Sequence, residues 1–329
     1  MPMRLSPKKR YVARRLAQAV PTIFGVLVFN FLLLQTASGD LADVLAGQSQ
    51  AATAEFMMEI RARFGLDQPL HIQFLKYMRN LLTLDLGFSH IYNMPVVDLL
   101  LQRLPASLLL LAACLVVSVS GGILLGLIAA RNVNTPVDYA ASLGALLFYS
   151  TPVFWTGLLL TIVFSIKLGW LPSSGLETIG AGFTGWERAL DIGRHLTLPT
   201  ATFSAFYLAV YTRIMRASML EVYTMDYVRT AVAKGLSPRR VAFKHVLRNS
   251  LLPIVTMIGM QCAGLMGGVV IIESVFGWPG VGRLLFEAVS NRDFNLVLSV
   301  LALSSVLVVL INLILDCVYV WLDPRIELR

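Results

Sequence analysis

The densest set of chemically active side chains in this sequence is a run of cations in residues 221–250, EVYTMDYVRTAVAKGLSPRRVAFKHVLRNS. Arg229, Lys234, Arg239, Arg240, Lys244 and Arg248 are opposed there by only Glu221 and Asp226. Such a segment can bind an anionic partner: lipid headgroups, nucleic acid or an acidic protein surface. Covalent chemistry has no equipment here. No GxxxxGK[ST] loop that would cradle phosphates, no nucleophile elbow and no HExxH pair occurs in the chain. His71, His90, His195 and His245 stand apart from one another, and no metal site is predicted from them. Cys114, Cys262 and Cys317 sit singly in apolar stretches, which gives neither a disulfide pattern nor metal spacing.

The rest of the chain must hold this run in place, and its composition is that of a membrane protein. The 329 residues are 57% hydrophobic and 14% charged, with a mean hydropathy of +0.72. A soluble domain is about 45–50% apolar and about 25% charged. A soluble enzyme, a disordered chain and a disulfide-framed secreted domain are thereby excluded. Six stretches carry no Asp, Glu, Lys or Arg: 16–39, 104–130, 139–166, 195–212, 249–272 and 294–315. A spanning helix needs about 20 apolar residues. The prediction is an all-α polytopic membrane protein with six transmembrane helices. The 195–212 run is short, and the apolar stem of Arg213 extends it.

The net charge of +8 is unevenly spread. Residues 1–15 hold six basic groups and no acid, and residues 213–248 hold eight basic groups against two acids. Loops rich in Lys and Arg face the cytoplasm. The N-terminus, 131–138, 213–248 and the C-terminus are therefore predicted inside. Residues 38–103, 167–194 and 273–293 are predicted outside. The first apolar run is longer than a signal-peptide core, so it reads as an uncleaved anchor.

This divides the chain into an N-terminal anchor helix with an outside segment (1–103) and a five-helix core (104–329) containing the 221–250 loop. The outside segment is expected to be helical and small. Phe56, Met57, Ile60 and Phe64 fall at helical spacing in 51–64, which Gly65 ends, and 72–84 reads as a second amphipathic helix. Residues 167–194, rich in glycine, read as a loop. Gly122 and Gly126 form a GxxxG pair, and Gly259, Ala263 and Gly267 repeat every four residues, as closely approaching helices require. Pro152, after Ser150 and Thr151, is expected to kink the third span. Ser150, Pro152 and the mid-span Gln261 are the candidate pathway residues.

Within the basic run, 226–234 is a helix former. Gly235 supplies a left-handed position after it. Ser237 is a preferred N-cap and Pro238 suits the first helical position. Two short helices joined by a tight turn are predicted, the second over 238–249. A chain tied to the bilayer at both ends is a poor DNA-binding element. Lipid adsorption and protein docking remain, and the capped turn favours docking, since adsorption needs no glycine pivot. Secondary transport is the rival class; it places ionisable groups near mid-bilayer, and the six runs hold none.

The segment resembles the cytoplasmic loop of ABC importer permeases. Their signature, Glu-Ala-Ala, a Gly four residues on and then Ile-x-Leu-Pro, aligns with Arg229-Thr230-Ala231, Gly235 and His245-Val246-Leu247-Arg248, without the first Glu and the Pro. DYVRTAVAKGLS and RNSLLPIV look like the dipeptide/oligopeptide permease family, in its B-type subunit. So do FGLDQPL (64–70), DLGFS (85–89), RLPASL (103–108), PVFWTGLLL (152–160), LGWLPSSG (168–175), RASMLEV (216–222), ESVFGWPGVG (273–282) and LDPRIEL (322–328). The resemblance implies a type I ABC importer permease fold in the bacterial inner membrane, and a heterodimer with a second homologous permease. It also implies two cytoplasmic ATPases that carry ATP and Mg, and a periplasmic substrate-binding protein. Arg229, Thr230, Ala231, Gly235, Leu236, Ser237, Pro238, Arg239, Arg240 and Lys244 are then the ATPase-coupling residues. This chain itself would hold no cofactor or metal, catalyse nothing, touch lipid and bind no nucleic acid. Cargo in the resembling family includes dipeptides, oligopeptides, glutathione, nickel chelates and some sugars, with peptide the expectation.

Overall fold

The computed structural model describes residues 7–35, 55, 58, 61, 62, 67–89 and 91–322, with all their side chains except those of 7–13, 34, 259–267 and 315–322. In chain order the helices are α1 (Pro7–Gln35), α2 (Leu70–Thr83), α3 (Val96–Arg131), α4 (Pro136–Ser150), α5 (Val153–Leu160), α6 (Gly185–Tyr223), α7 (Asp226–Ala233), α8 (Pro238–Arg240), α9 (Leu247–Val275), α10 (Val281–Ser290) and α11 (Phe294–Leu322). A π-helical turn, Thr161–Lys167, continues α5, and another, Val241–Val246, joins α8 to α9. Strands β1 (Phe88–Ser89) and β2 (Met94–Pro95) pair antiparallel, Phe88 against Pro95 and Ser89 against Met94.

The chain forms two compact units, one of residues 1–105 and 280–329, the other of residues 106–279. In the first, Phe31 of α1 meets Phe74 edge-on and stacks on Tyr77, both of α2. Val96, Leu99 and Leu100 bury themselves with Val281, Leu284 and Ala288 of α10 and Leu296, Val297 and Val300 of α11. Asp293 starts α11: its Oδ1 accepts the Leu296 N–H at 3.1 Å, and its Oδ2 accepts the Ser89 hydroxyl at 2.6 Å. Helix α2 fills the second amphipathic stretch expected over 72–84. The helix expected over 51–64 lies largely outside the described residues.

The second unit is built on α3, α6 and α9. Gly122 and Gly126 let α3 and α6 touch through backbone. A Cβ on Gly122 would lie 2.4 Å from the Tyr211 Cβ, and one on Gly126 would lie 2.8 Å from the Thr212 carbonyl oxygen. Gly268 of α9 leaves room for the Phe203 ring of α6, which a Cβ would meet at 2.7 Å.

By length and composition, three helices among the described residues can cross a membrane: α1 over Arg14–Leu33, α3 over Val96–Arg131 and α11 over Phe294–Ile314. The third apolar run is not one straight helix. It breaks between α4 and α5 by 106°, and makes a fourth span if the pair is counted as one. The break falls at Thr151 and Pro152, because the residue before a proline is driven out of the helical region; Thr151 adopts φ −95°, ψ 132°. The 195–212 run lies inside the 39-residue α6, where His195, Thr197, Thr200, Thr202 and Ser204 dilute its apolar character.

Two boundaries differ from the sequence expectation. Residues 185–194 are not loop: α6 starts at Gly185, following an extended Thr184 with Glu187 in the first turn. The helix expected to end at Asn249 does not end there. It passes through the π turn straight into α9.

Candidate functional site

Residues 221–250 fold as a short helix, a capped turn and a re-entry into α9. Helix α7 begins after Met225, whose backbone is extended at φ −73°, ψ 143°. It ends in paired reverse bonds. The Gly235 N–H donates to the Val232 carbonyl at 2.9 Å, and the Leu236 N–H reaches back to the Ala231 carbonyl at 3.4 Å. That pattern places the residue after the C-cap in the left-handed region, and Gly235 has φ +75° with open space where a Cβ would be. Ser237 sits at the N-cap with φ −60°, ψ 146°, and Pro238 occupies the first position of α8. The Ser237 carbonyl accepts the Val241 N–H at 3.0 Å, while its side chain makes no capping bond.

Apolar side chains anchor this element. Val228 and Ala231 of α7, with Val241 and Val246 of the π turn, are buried against Met215, Met219 and Val222 of α6, Leu127 and Ala130 of α3, and Ile254 of α9. Burying the valine, leucine, isoleucine and methionine side chains contributes roughly 1.5–3 kcal/mol each. A polar clasp closes the other side: Asn249 donates to the Tyr227 hydroxyl at 2.6 Å and to the His245 carbonyl at 3.3 Å. The outward surface is cationic, with Arg229, Lys234, Arg239, Arg240, Lys244 and Arg248 all exposed. Phe243, at 51% exposure, projects among them. Arg229 and Asp226 stand 3.8 Å apart, both open to water, so their pairing adds little.

The structure therefore gathers the expected coupling residues into one patch, and sorts them. Ala231 is buried and structural. Gly235, Ser237 and Pro238 shape the turn, and Leu236 packs beside it. Arg229, Thr230, Arg239, Arg240 and Lys244 are outward. Ser150 and Pro152 flank the α4–α5 break and are exposed. The side chain of Gln261 lies outside the described residues.

Sequence reading missed a charge pair next to this site. Arg216 of α6 grips Asp138 of α4 with two parallel bonds, Nε to Oδ1 at 2.6 Å and Nη2 to Oδ2 at 2.7 Å. The Asp138 side chain is 3% exposed. The signal was available: the two residues sit just beyond the ends of apolar runs predicted to run antiparallel. At the far end of α6, Asp191 accepts the Thr178 N–H at 2.6 Å and its hydroxyl at 2.8 Å. The Thr178 N–H is the main reason its carboxyl lies below the usual range. Its neighbour His195 is buried, with Nδ1 2.9 Å from the Asp191 carbonyl.

Comparison with known proteins matches these features to a family. Residues 122–328 match the family described as binding-protein-dependent transport system inner membrane component, and residues 8–111 match its N-terminal companion. A probable peptide ABC transporter permease of Sinorhizobium fredii is 42% identical over 96% of this chain and 99% of its own. An oligopeptide transport system permease of Bacillus subtilis is 35% identical over 96% and 99%. A glutathione transport system permease of Escherichia coli K12 is 39% identical over 97% and 99%. The chain belongs to the family of inner membrane components of binding-protein-dependent transport systems. It is a multi-pass permease subunit of an ABC importer.

Proposed function

We propose that this chain forms half of a peptide translocation pore working by alternating access, paired with a second homologous permease. Six spans with both termini cytoplasmic place the α7–α8 turn on the cytoplasmic side. Two ATPases bind there and hydrolyse the ATP that they hold with Mg, and a periplasmic binding protein delivers cargo opposite. The observation that supports this best is the turn at Gly235: a capped, core-anchored projection with an outward cationic surface on which Phe243 is exposed. A lipid anchor would need the charges but not the capped turn. Peptide cargo is supported by relatives named for peptide, oligopeptide and glutathione, itself a tripeptide. The same architecture carrying nickel chelate, glutathione or sugar is the alternative for cargo.

The test is reconstitution into proteoliposomes with the partner permease, the ATPases and the binding protein. Labelled dipeptide should accumulate only with ATP and binding protein present. Uptake by this chain alone, driven by a proton gradient, would overturn the reading. Stimulation of hydrolysis by binding protein loaded with nickel chelate or sugar, and not with peptide, would replace the cargo.

A further inference from the structure

Helix α4 is one arm of a bent helix pair and lies on α6, where Tyr149 near the bend stacks on Phe206 beneath the Arg213 guanidinium. Its main packing partner in the unit is α6, and its other sides are open: Val137, Tyr139, Leu143, Leu146 and Leu147 are about half exposed or more. At one end it terminates in the 106° break at Thr151–Pro152. At the other it is held by Asp138, whose carboxylate takes both Arg216 bonds and the Asn134 N–H at 3.1 Å. One side chain thus ties α6, α4 and the turn preceding α4 together. Arg216 follows Met215, which is buried in the cluster that seats α7 and the π turn. The last turns of α6 therefore carry the coupling element on one side and grip α4 on the next. The grip is directional, because two parallel bonds fix orientation as well as distance.

We infer that the Asp138–Arg216 pair is the joint through which motion of the α7–α8 turn reaches α4 and its break, and that both are positioning residues for transport. The inference rests on the permease reading above. Loss of the joint would leave the ATPases docked and hydrolysing, but would loosen their hold on α4, which would keep only its packing on α6, such as Tyr149 on Phe206.

The test places a cysteine at Ser150, beside the break, in a background lacking Cys114, Cys262 and Cys317. The full complex with its ATPases is held in nanodiscs. Labelling of that cysteine by a small maleimide is timed with and without ATP and vanadate. In the parent complex the nucleotide trap should change the labelling rate by about tenfold, within the range usual for coupled sites. Asp138→Asn should reduce that change to less than about twofold while ATPase co-purification and basal hydrolysis persist. The reversed pair, Asp138→Arg with Arg216→Asp, should restore much of it, which covers the case in which Asp138→Asn fails to assemble. An undiminished change in Asp138→Asn, or an assembled reversed pair that restores nothing, overturns the joint. A parent cysteine that ignores ATP while binding protein still stimulates hydrolysis overturns the joint alone. Hydrolysis that also ignores binding protein overturns the permease reading instead.

Discussion

Ser107 of α3 donates its hydroxyl to the carboxyl of Glu273 near the end of α9, with both side chains buried. Immediately beside it, the Trp278 indole N–H donates to the Ala106 carbonyl at 2.8 Å. A buried carboxyl is costly unless hydrogen-bonded, so this pair specifies where the end of α9 meets α3. Ser107→Ala should destabilise the unit by about 0.5–1.5 kcal/mol, the net worth of one hydrogen bond. Glu273→Gln, which keeps an acceptor, should cost less. Thermal unfolding of the purified chain in nanodiscs checks both, and equal melting of Ser107→Ala and the parent would contradict the expectation.

Gly235 is confined by its backbone and not by its neighbours. A Cβ there meets no atom within 4 Å, yet a valine must adopt φ +75°, at about 1–2 kcal/mol. Asparagine tolerates that region better. Gly235→Val should reach the membrane at the parent level and lose most transport, whereas Gly235→Asn should retain a larger share. Membrane abundance and uptake measured together decide the matter; parental uptake by Gly235→Val would remove the turn from the mechanism.

Gly122 and Gly126 are confined by neighbours. Alanine at either position drives a methyl into Tyr211 or the Thr212 carbonyl. Overpacking of this kind costs about 1–3 kcal/mol. Both variants should accumulate poorly in membranes. Gly144→Ala, with nothing within 4 Å of the new methyl, should accumulate normally. Quantitative immunoblotting of membranes compares the three.

Asp191 predicts a pH dependence. Its carboxyl lies below the usual range, chiefly because the Thr178 N–H binds the charged form. The folded value is thus lower than the unfolded one, about 3.9. The stabilisation is complete above the unfolded value and is lost as pH falls through the folded one. Cleavage of 176–183 by an acid-tolerant protease should be slow at pH 5 and accelerate below about pH 4. Asp191→Asn should be cut rapidly at both. Acid-independent cleavage of the parent would show that Asp191 does not hold this segment.

The capped turn was legible because its determinants are local. Gly235 is the residue type that enters the left-handed region freely and Pro238 fixes the φ of a first helical position, and both point to the same geometry; the Ser237 side chain adds no capping bond to it. Helix α2 and the close approach at Gly122 were legible for the same reason, through spacing within a single helix. Other features depend on partners far away in sequence. Marking charge-free runs ended the fourth helix at His195, although charges are harmless on a helix that extends past the apolar stretch, as Arg188 and Asp191 do. The proline suggested a kink, but the 106° break depends on how the flanking helices pack. The grouping of 280–329 with the first 105 residues rests on Leu284 and Val300 meeting Leu99. No periodicity reveals such a contact. The π turn at 241–246 has no composition signal to find.

Helix α6 runs for 39 residues, which at 1.5 Å each is about 58 Å, nearly twice a hydrocarbon core of about 30 Å. Its midpoint is tightly held: the Phe203 ring sits in the gap left by Gly268, and the Ser204 hydroxyl donates to the Cys114 carbonyl at 3.2 Å. The Thr178–Asp191 clamp lies toward one end and Arg216 toward the other. Between them α6 is packed along its length, with Tyr211 and Thr212 against Gly122 and Gly126, and Met215 and Met219 buried. It is therefore a single strut that ties the Asp191 clamp to the Arg216 pair, so the two clasps keep a fixed spacing along one rod.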